Sequence, residues 1–232
     1  MSTNKNVARI VGALFLIATI TYLIGSGLIE SIAGASNYLA NVYPNRTRVI
    51  LGVLLELVNS AAVLGIAVLL FPILRRHNET IALSYVGFRI MESVILTVAA
   101  LGPLSLIRLS QEYIQAGTPD ASYFQTLGAL AMHGHDQAFQ IALTFLGLGS
   151  LGFCYLLYQS KLIPRSISVL GLLGYAALLA SALLEILGQS TGMILYAPGA
   201  LFEIILPIWL IAKGFNSSAI ASGPGITEKL KS

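Results

Sequence analysis

Charge is what this sequence lacks most. Only 10% of its 232 residues are Asp, Glu, Lys or Arg, while 56% are hydrophobic and the mean hydropathy is +0.82. A water-facing surface normally carries roughly a quarter charged residues, so a soluble globular domain is excluded and the missing polar surface must face lipid. Cysteine is nearly absent too. The single Cys154 excludes an intrachain disulfide, and its apolar setting reads as a small packing residue rather than a reactive thiol. Basic clusters interleaved with aromatics are missing, so the net charge of +3 and pI of about 9.0 do not indicate nucleic acid. No glycine-rich phosphate loop, dinucleotide fingerprint or haem Cys-x-x-Cys-His is present, and no cofactor is evident. The sequence also holds neither His-Glu-x-x-His nor Gly-x-Ser-x-Gly, so no enzymatic activity is assigned.

What the chain does contain is apolar runs. They cover about 8–29, 49–73, 81–107, 130–158, 166–187 and 193–212. Each reaches the ~20 residues needed to cross a bilayer as a helix, and a spanning segment must satisfy its own backbone hydrogen bonds. The expected fold is all-α: a polytopic membrane helix bundle of about six transmembrane helices within residues 1–213. A Ser- and Gly-rich tail, 214–232, is expected to be disordered and cytoplasmic. The first run, apolar from Ile10 to Ile29, exceeds the roughly 7–15 residues of a signal-peptide core and reads as a retained helix.

Basic residues set the orientation. With the N-terminus inside, the inner segments hold Lys5, Arg9, Arg75, Arg76, Lys161, Arg165, Lys213, Lys229 and Lys231, and the outer loops hold Arg46, Arg48 and Arg108. That bias predicts both termini inside. The outer loops are expected at about 30–48 and 108–129, the second with helical character around Leu109–Ala116 and a Thr118-Pro119-Asp120 turn. No inverted repeat of three spans is visible.

Ionisable residues inside spans cost roughly 2.5–3.5 kcal/mol each at a helix centre and are functional candidates by default. Span two carries Glu56 and Asn59 on one face. Span three carries Tyr85, Arg89 and Glu92 at i, i+4 and i+7. In span four, His133, Asp136, Gln137, Gln140 and Thr144 form a polar stripe at helical spacing, with His135 pointing elsewhere. Span six has Glu203, and Pro207 frees the Glu203 carbonyl as Pro103 frees that of Ala99. At a rise of about 1.5 Å per residue, Glu92 and Glu203 fall near mid-membrane, Glu56 and Gln140 further out, and His133 and Asp136 near the outer boundary. The expectation is an outward-opening pocket lined by Glu56, Asn59, Arg89, Glu92, His133, Asp136, Gln137, Gln140 and Glu203.

Such a pocket suits binding or handling of a small molecule or ion. A proton-coupled transporter, an intramembrane metal-dependent hydrolase with His133 and Asp136 as candidate ligands, and a non-catalytic membrane partner stay open beside it. So does a purely structural Arg89–Glu92 clamp. The small residues Gly147, Gly149, Ser150, Gly152, Gly171 and Gly174 permit close helix contact, within the chain or with another protein. The lipid bilayer is the one expected partner; the sequence says nothing of oligomeric state.

The segment Leu157-Tyr158-Gln159-Ser160-Lys161-Leu162-Ile163-Pro164-Arg165-Ser166-Ile167-Ser168-Val169-Leu170-Gly171 and the opening Ala8-Arg9-Ile10-Val11-Gly12-Ala13-Leu14 resemble a bacterial family of multi-pass membrane proteins catalogued only as a domain of unknown function. The resemblance runs from the first span to the sixth. It implies a bacterial inner-membrane location and carries no activity.

Overall fold

The computed structural model describes residues 2–117, 121–190, 192 and 194–221. The described chain is all-α, with no strand. Its helices are α1 (Ser2–Ala33), α2 (Tyr38–Asn41), α3 (Arg46–Leu74), α4 (Glu79–Ala99), α5 (Leu101–Gln115), α6 (Ala121–Ser160), α7 (Arg165–Ile186), α8 (Ala197–Ala212) and α9 (Ser217–Ala221). A 3₁₀ turn, Ile194–Tyr196, leads into α8. Among the described residues, six stretches are long and apolar enough to cross a membrane: Asn4–Ala33, Arg46–Leu74, Glu79–Gln115, Ser122–Ser160, Arg165–Ile186 and Ile194–Ala212. The chain is therefore a multi-pass membrane protein, and bulky apolar side chains left open on these helices, such as Leu23 and Leu173, suit contact with lipid tails.

Helix runs further than hydropathy alone suggests on one side. Of the expected loop 108–129, residues up to Gln115 continue α5, and α6 begins at Ala121. The reason is local. Leu106 and Ser110 are buried one turn apart, while Arg108 and Glu112 pair at 3.1 Å on the exposed side, so this polar segment is an amphipathic helix. The Thr118-Pro119-Asp120 turn lies outside the described residues. Between α4 and α5 the helix breaks at Ala100, three residues before Pro103, whose missing N–H cannot bond the Ala99 carbonyl. Of the expected tail, Gly214–Ala221 is described and ends in α9, with Ala219 and Ile220 buried; 222–232 lie outside the described residues.

The chain forms two compact units. The first comprises Met1–Ile17, Ala62–Ser93 and Gln140–Ser232. Its fully buried side chains include Ile66, Leu70, Tyr85, Phe153, Tyr175 and Phe202. Glycines let its helices touch. A Cβ on Gly174 would stand 2.7 Å from the Gly199 nitrogen, so α7 and α8 meet backbone to backbone. The glycines of α6 are used the same way, Gly147 against Leu179 and Gly149 against Phe88, which makes that small-residue run intrachain packing.

The second unit comprises Ala18–Ala61 and Val94–Phe139. Ile29, Ile32, Val42, Val49, Val53, Ala100 and Leu106 form its core. Gly25 and Gly52 bring α1 and α3 together, each leaving no room for a Cβ on the other. The buried Ser110 hydroxyl donates to the Leu39 carbonyl and accepts the Tyr43 N–H at 2.9 Å, tying the 34–45 connection to α5.

Candidate functional site

In the first unit the charged residues of α4 lie on one face, as their spacing predicts. Arg89 Nη1 donates to Glu92 Oε2 at 2.7 Å, and both side chains are almost fully buried. The guanidinium also lies 5.6 Å from the centre of the Tyr85 ring, and Tyr85 stacks on Phe153. A cation over an aromatic face gains further attraction where water is excluded. One donor is left over. Among the described residues, Arg89 Nε is buried and meets no acceptor. An unmet donor of a buried charged group carries a large desolvation penalty.

Beside this pair, Tyr175 of α7 donates its hydroxyl to Glu203 Oε1 of α8 at 3.1 Å. Tyr175 is 1% exposed and packs edge-on against Phe202, while Glu203 is partly buried. The Gly174–Gly199 contact holds the two helices at the separation this bond needs. Arg89 lies within electrostatic reach of Glu203 and Tyr175, and Glu203 within reach of Glu92. One guanidinium thus serves two carboxyls, so the cluster closes to neutrality only with a proton or a cation alongside. Gln140 of α6 joins the same unit's polar contacts, its Oε1 accepting the Tyr196 hydroxyl at 3.2 Å.

The second unit holds a smaller cluster. His135 Nδ1 lies 2.9 Å from the Ala99 carbonyl, and its Nε2 lies 3.9 Å from Glu56 Oε1. The carbonyl is the one that Pro103 releases, so the imidazole supplies the missing donor. Nδ1 must then carry the proton, which turns Nε2 toward the carboxylate. Gly102 makes the approach possible, since a Cβ there would lie 2.8 Å from His135 Cβ. Glu56 and Asn59 are buried, and the Ser60 hydroxyl bonds the Glu56 carbonyl at 3.1 Å.

Spacing therefore brings Arg89, Glu92 and Glu203 into one cluster and Glu56 into another. His133, Asp136 and Gln137 stand exposed, and their neighbour His135 is the histidine that reaches a carboxyl. His135 and Tyr175 are the two site residues that periodicity alone misses. Among the described residues, no group of three or more His, Cys, Asp or Glu gathers as a metal-binding set, around His133 and Asp136 or elsewhere.

No curated protein and no solved structure matches this chain. Residues 10–214, covering every one of the six apolar spans in whole or large part, match the family described as Domain of unknown function (DUF4386), and the chain belongs to that family.

Proposed function

We propose that the protein binds a small polar molecule or ion within its membrane domain, at the cluster of Arg89, Glu92, Tyr175 and Glu203. The observation that carries this reading is the unmet Nε donor of Arg89 beside two carboxyls. A ligand offering a hydrogen-bond acceptor to Nε, accompanied by a proton or cation that balances the second carboxyl, completes both the bonding and the charge. The charge bias of the loops and the depth of these residues along their spans support entry from the outer side, with both termini inside. A bacterial inner membrane is the location that goes with this reading.

The test is native mass spectrometry of the full chain extracted in a mild detergent. A bound small-molecule adduct is expected on the native protein. It is expected to disappear from Glu203→Gln and from Arg89→Lys while elution and helicity hold. Absence of an adduct from the native chain, or its full retention in both variants, overturns the proposal.

A second reading, proton-coupled transport, has its own support in His135. The ring links a freed carbonyl to the Glu56 carboxyl, a continuous polar path between two helices. Liposomes loaded with a pH-sensitive dye would show potential-driven proton uptake in the native chain and none in His135→Gln.

A further inference from the structure

A concave site of a different kind lies in the first unit, where α6 ends, α7 begins and α8 runs out. The cavity measures about 520 Å³ and is walled by the loop Lys161–Pro164, by Arg165 and by Trp209, Lys213 and Asn216. Leu162, Ile163 and Phe215 are its buried apolar walls, while Lys161, Arg165 and Lys213 stand exposed at the rim. Among the described residues, none that lines it is acidic.

The site is built rather than incidental. The Asn216 N–H donates to the Leu162 carbonyl at 2.9 Å, clipping the segment after α8 onto the α6–α7 loop. Two residues turn left-handed to form the walls, Lys161 at φ 54° and Gly214 at φ 74°. For a lysine that conformation is uncommon and marks a position where the surroundings dictate the backbone. The Arg165 guanidinium is held over the Tyr158 ring at 4.8 Å. A fourth cation is near, since a Cβ on Gly214 would lie 3.7 Å from Lys5 Cγ.

Positive charge in the loops on one side of a membrane protein needs no cavity to set topology. Here three cations converge on one cavity with an apolar wall and the chain's single tryptophan, all at the ends of membrane-length helices. Basic cavities between helices at headgroup level bind the phosphates of anionic lipids. Lysine and arginine supply charge-assisted donors to phosphate oxygens, and tryptophan favours the interface between chains and headgroups.

We infer that this cavity binds the phosphate-bearing headgroup of an anionic phospholipid, with Lys161, Arg165 and Lys213 on the phosphate and the apolar wall on the glycerol and upper acyl chain. The site is separate from the Arg89 cluster and does not depend on the function proposed for it.

Trp209 reports on the cavity directly, because the chain has one tryptophan. The experiment titrates the full chain in neutral detergent with brominated phosphatidylglycerol, with brominated phosphatidylcholine and with inorganic phosphate, following quenching or shift of Trp209 emission. Each cation near a membrane surface is worth about fivefold in affinity for an anionic lipid. Half-quenching is therefore expected at roughly tenfold or more lower phosphatidylglycerol than phosphatidylcholine. Lys161→Gln, Arg165→Gln and Lys213→Gln combined should equalise the two lipids. The single Lys213→Gln, at an exposed position, should narrow the gap on its own if the triple variant is unstable. A response to inorganic phosphate that blocks phosphatidylglycerol quenching assigns the same phosphate chemistry to a free anion. Equal quenching by both lipids in the native chain, with no response to phosphate, overturns the inference.

Discussion

Gly174→Ala tests the link between helix packing and the buried cluster. The new Cβ would stand 2.7 Å from the Gly199 nitrogen, 2.8 Å from its Cα and 2.9 Å from the Pro198 carbonyl carbon. All three are backbone atoms, so no side chain can rotate away. Ordinary contact begins at 3.4 Å, so from the closest approach of 2.7 Å α7 and α8 must part locally by about 0.7 Å. Tyr175 adjoins Gly174, and Glu203 lies one turn beyond Gly199. Their bond of 3.1 Å would then stretch to about 3.8 Å, past hydrogen-bond reach. Overpacking of this kind costs about 1–3 kcal/mol, and the lost bond adds about 1 kcal/mol. Reversible unfolding in mixed dodecylmaltoside–SDS micelles measures the total. A double-mutant cycle with Tyr175→Phe isolates the bond: Tyr175→Phe should cost about 1 kcal/mol in the native chain and almost nothing on Gly174→Ala. Gly87→Ala is the control, for a Cβ there meets nothing within 4 Å and the change should be neutral or stabilising. If Gly174→Ala is as mild as Gly87→Ala, or if the cycle shows full additivity, the reasoning is refuted.

Arg89→Met alone should destabilise by about 3–5 kcal/mol, because it strands the buried Glu92 carboxyl; adding Glu92→Leu should recover most of that loss in the same unfolding assay. Ser110→Ala leaves the Leu39 carbonyl and the Tyr43 N–H without their shared partner, so a cost of about 1–3 kcal/mol is expected, with faster hydrogen exchange at Tyr43. His77 lies between α3 and α4, outside the membrane-length stretches, and burial followed by the nearby Arg76 charge lowers its pKa below the ordinary 6.5. The unfolded chain therefore binds more protons than the folded one from about 6.5 downward, stability falls as pH drops through that window, and His77→Gln should flatten the slope while leaving stability above pH 7 unchanged in pH dependence.

The spans were legible because their signal is compositional. A run of ~20 apolar residues has no alternative in a bilayer, and the expected run 49–73 falls inside Arg46–Leu74. The face shared by Tyr85, Arg89 and Glu92 was legible from helical spacing. Helix ends were not, wherever an amphipathic or polar turn continues a span, as at Leu101–Gln115 and the start of Ala121–Ser160. His135 was missed because periodicity ranks a helix face by how many polar residues it carries, whereas the neighbouring helix determines which face is used. Gly102 lets α5 approach along the side that carries His135. The usable signal lay in two adjacent residues: Pro103 frees a carbonyl that needs a donor, and Gly102 admits one. Tyr175 had a similar signal, since it follows Gly174 directly and a small residue in a span marks a close helix contact.

The three glutamates at the centre of this account each meet a different kind of partner. Glu92 has the Arg89 guanidinium, Glu203 the Tyr175 hydroxyl, and Glu56 the His135 ring. A membrane protein that kept these carboxyls only for packing would do better with apolar residues of the same size, since a buried ion pair rarely outweighs its desolvation. The partners are also unequal in what they leave undone. The Tyr175 hydroxyl has donated its one proton, and Nδ1 of His135 is committed to the Ala99 carbonyl. Of the three partners, Arg89 is the one that keeps a buried N–H with no acceptor; elsewhere among the described residues the Ser168 hydroxyl and His77 Nε2 are buried without a partner too, but neither stands beside a carboxyl of the cluster. A structural clamp would be expected to satisfy that donor within the protein; a binding site leaves it for the ligand. That asymmetry separates the two readings of the Arg89–Glu92 pair and makes the Arg89→Lys variant informative: lysine keeps the charge and removes the Nε–H, so a clamp should survive the change and a binding site should not.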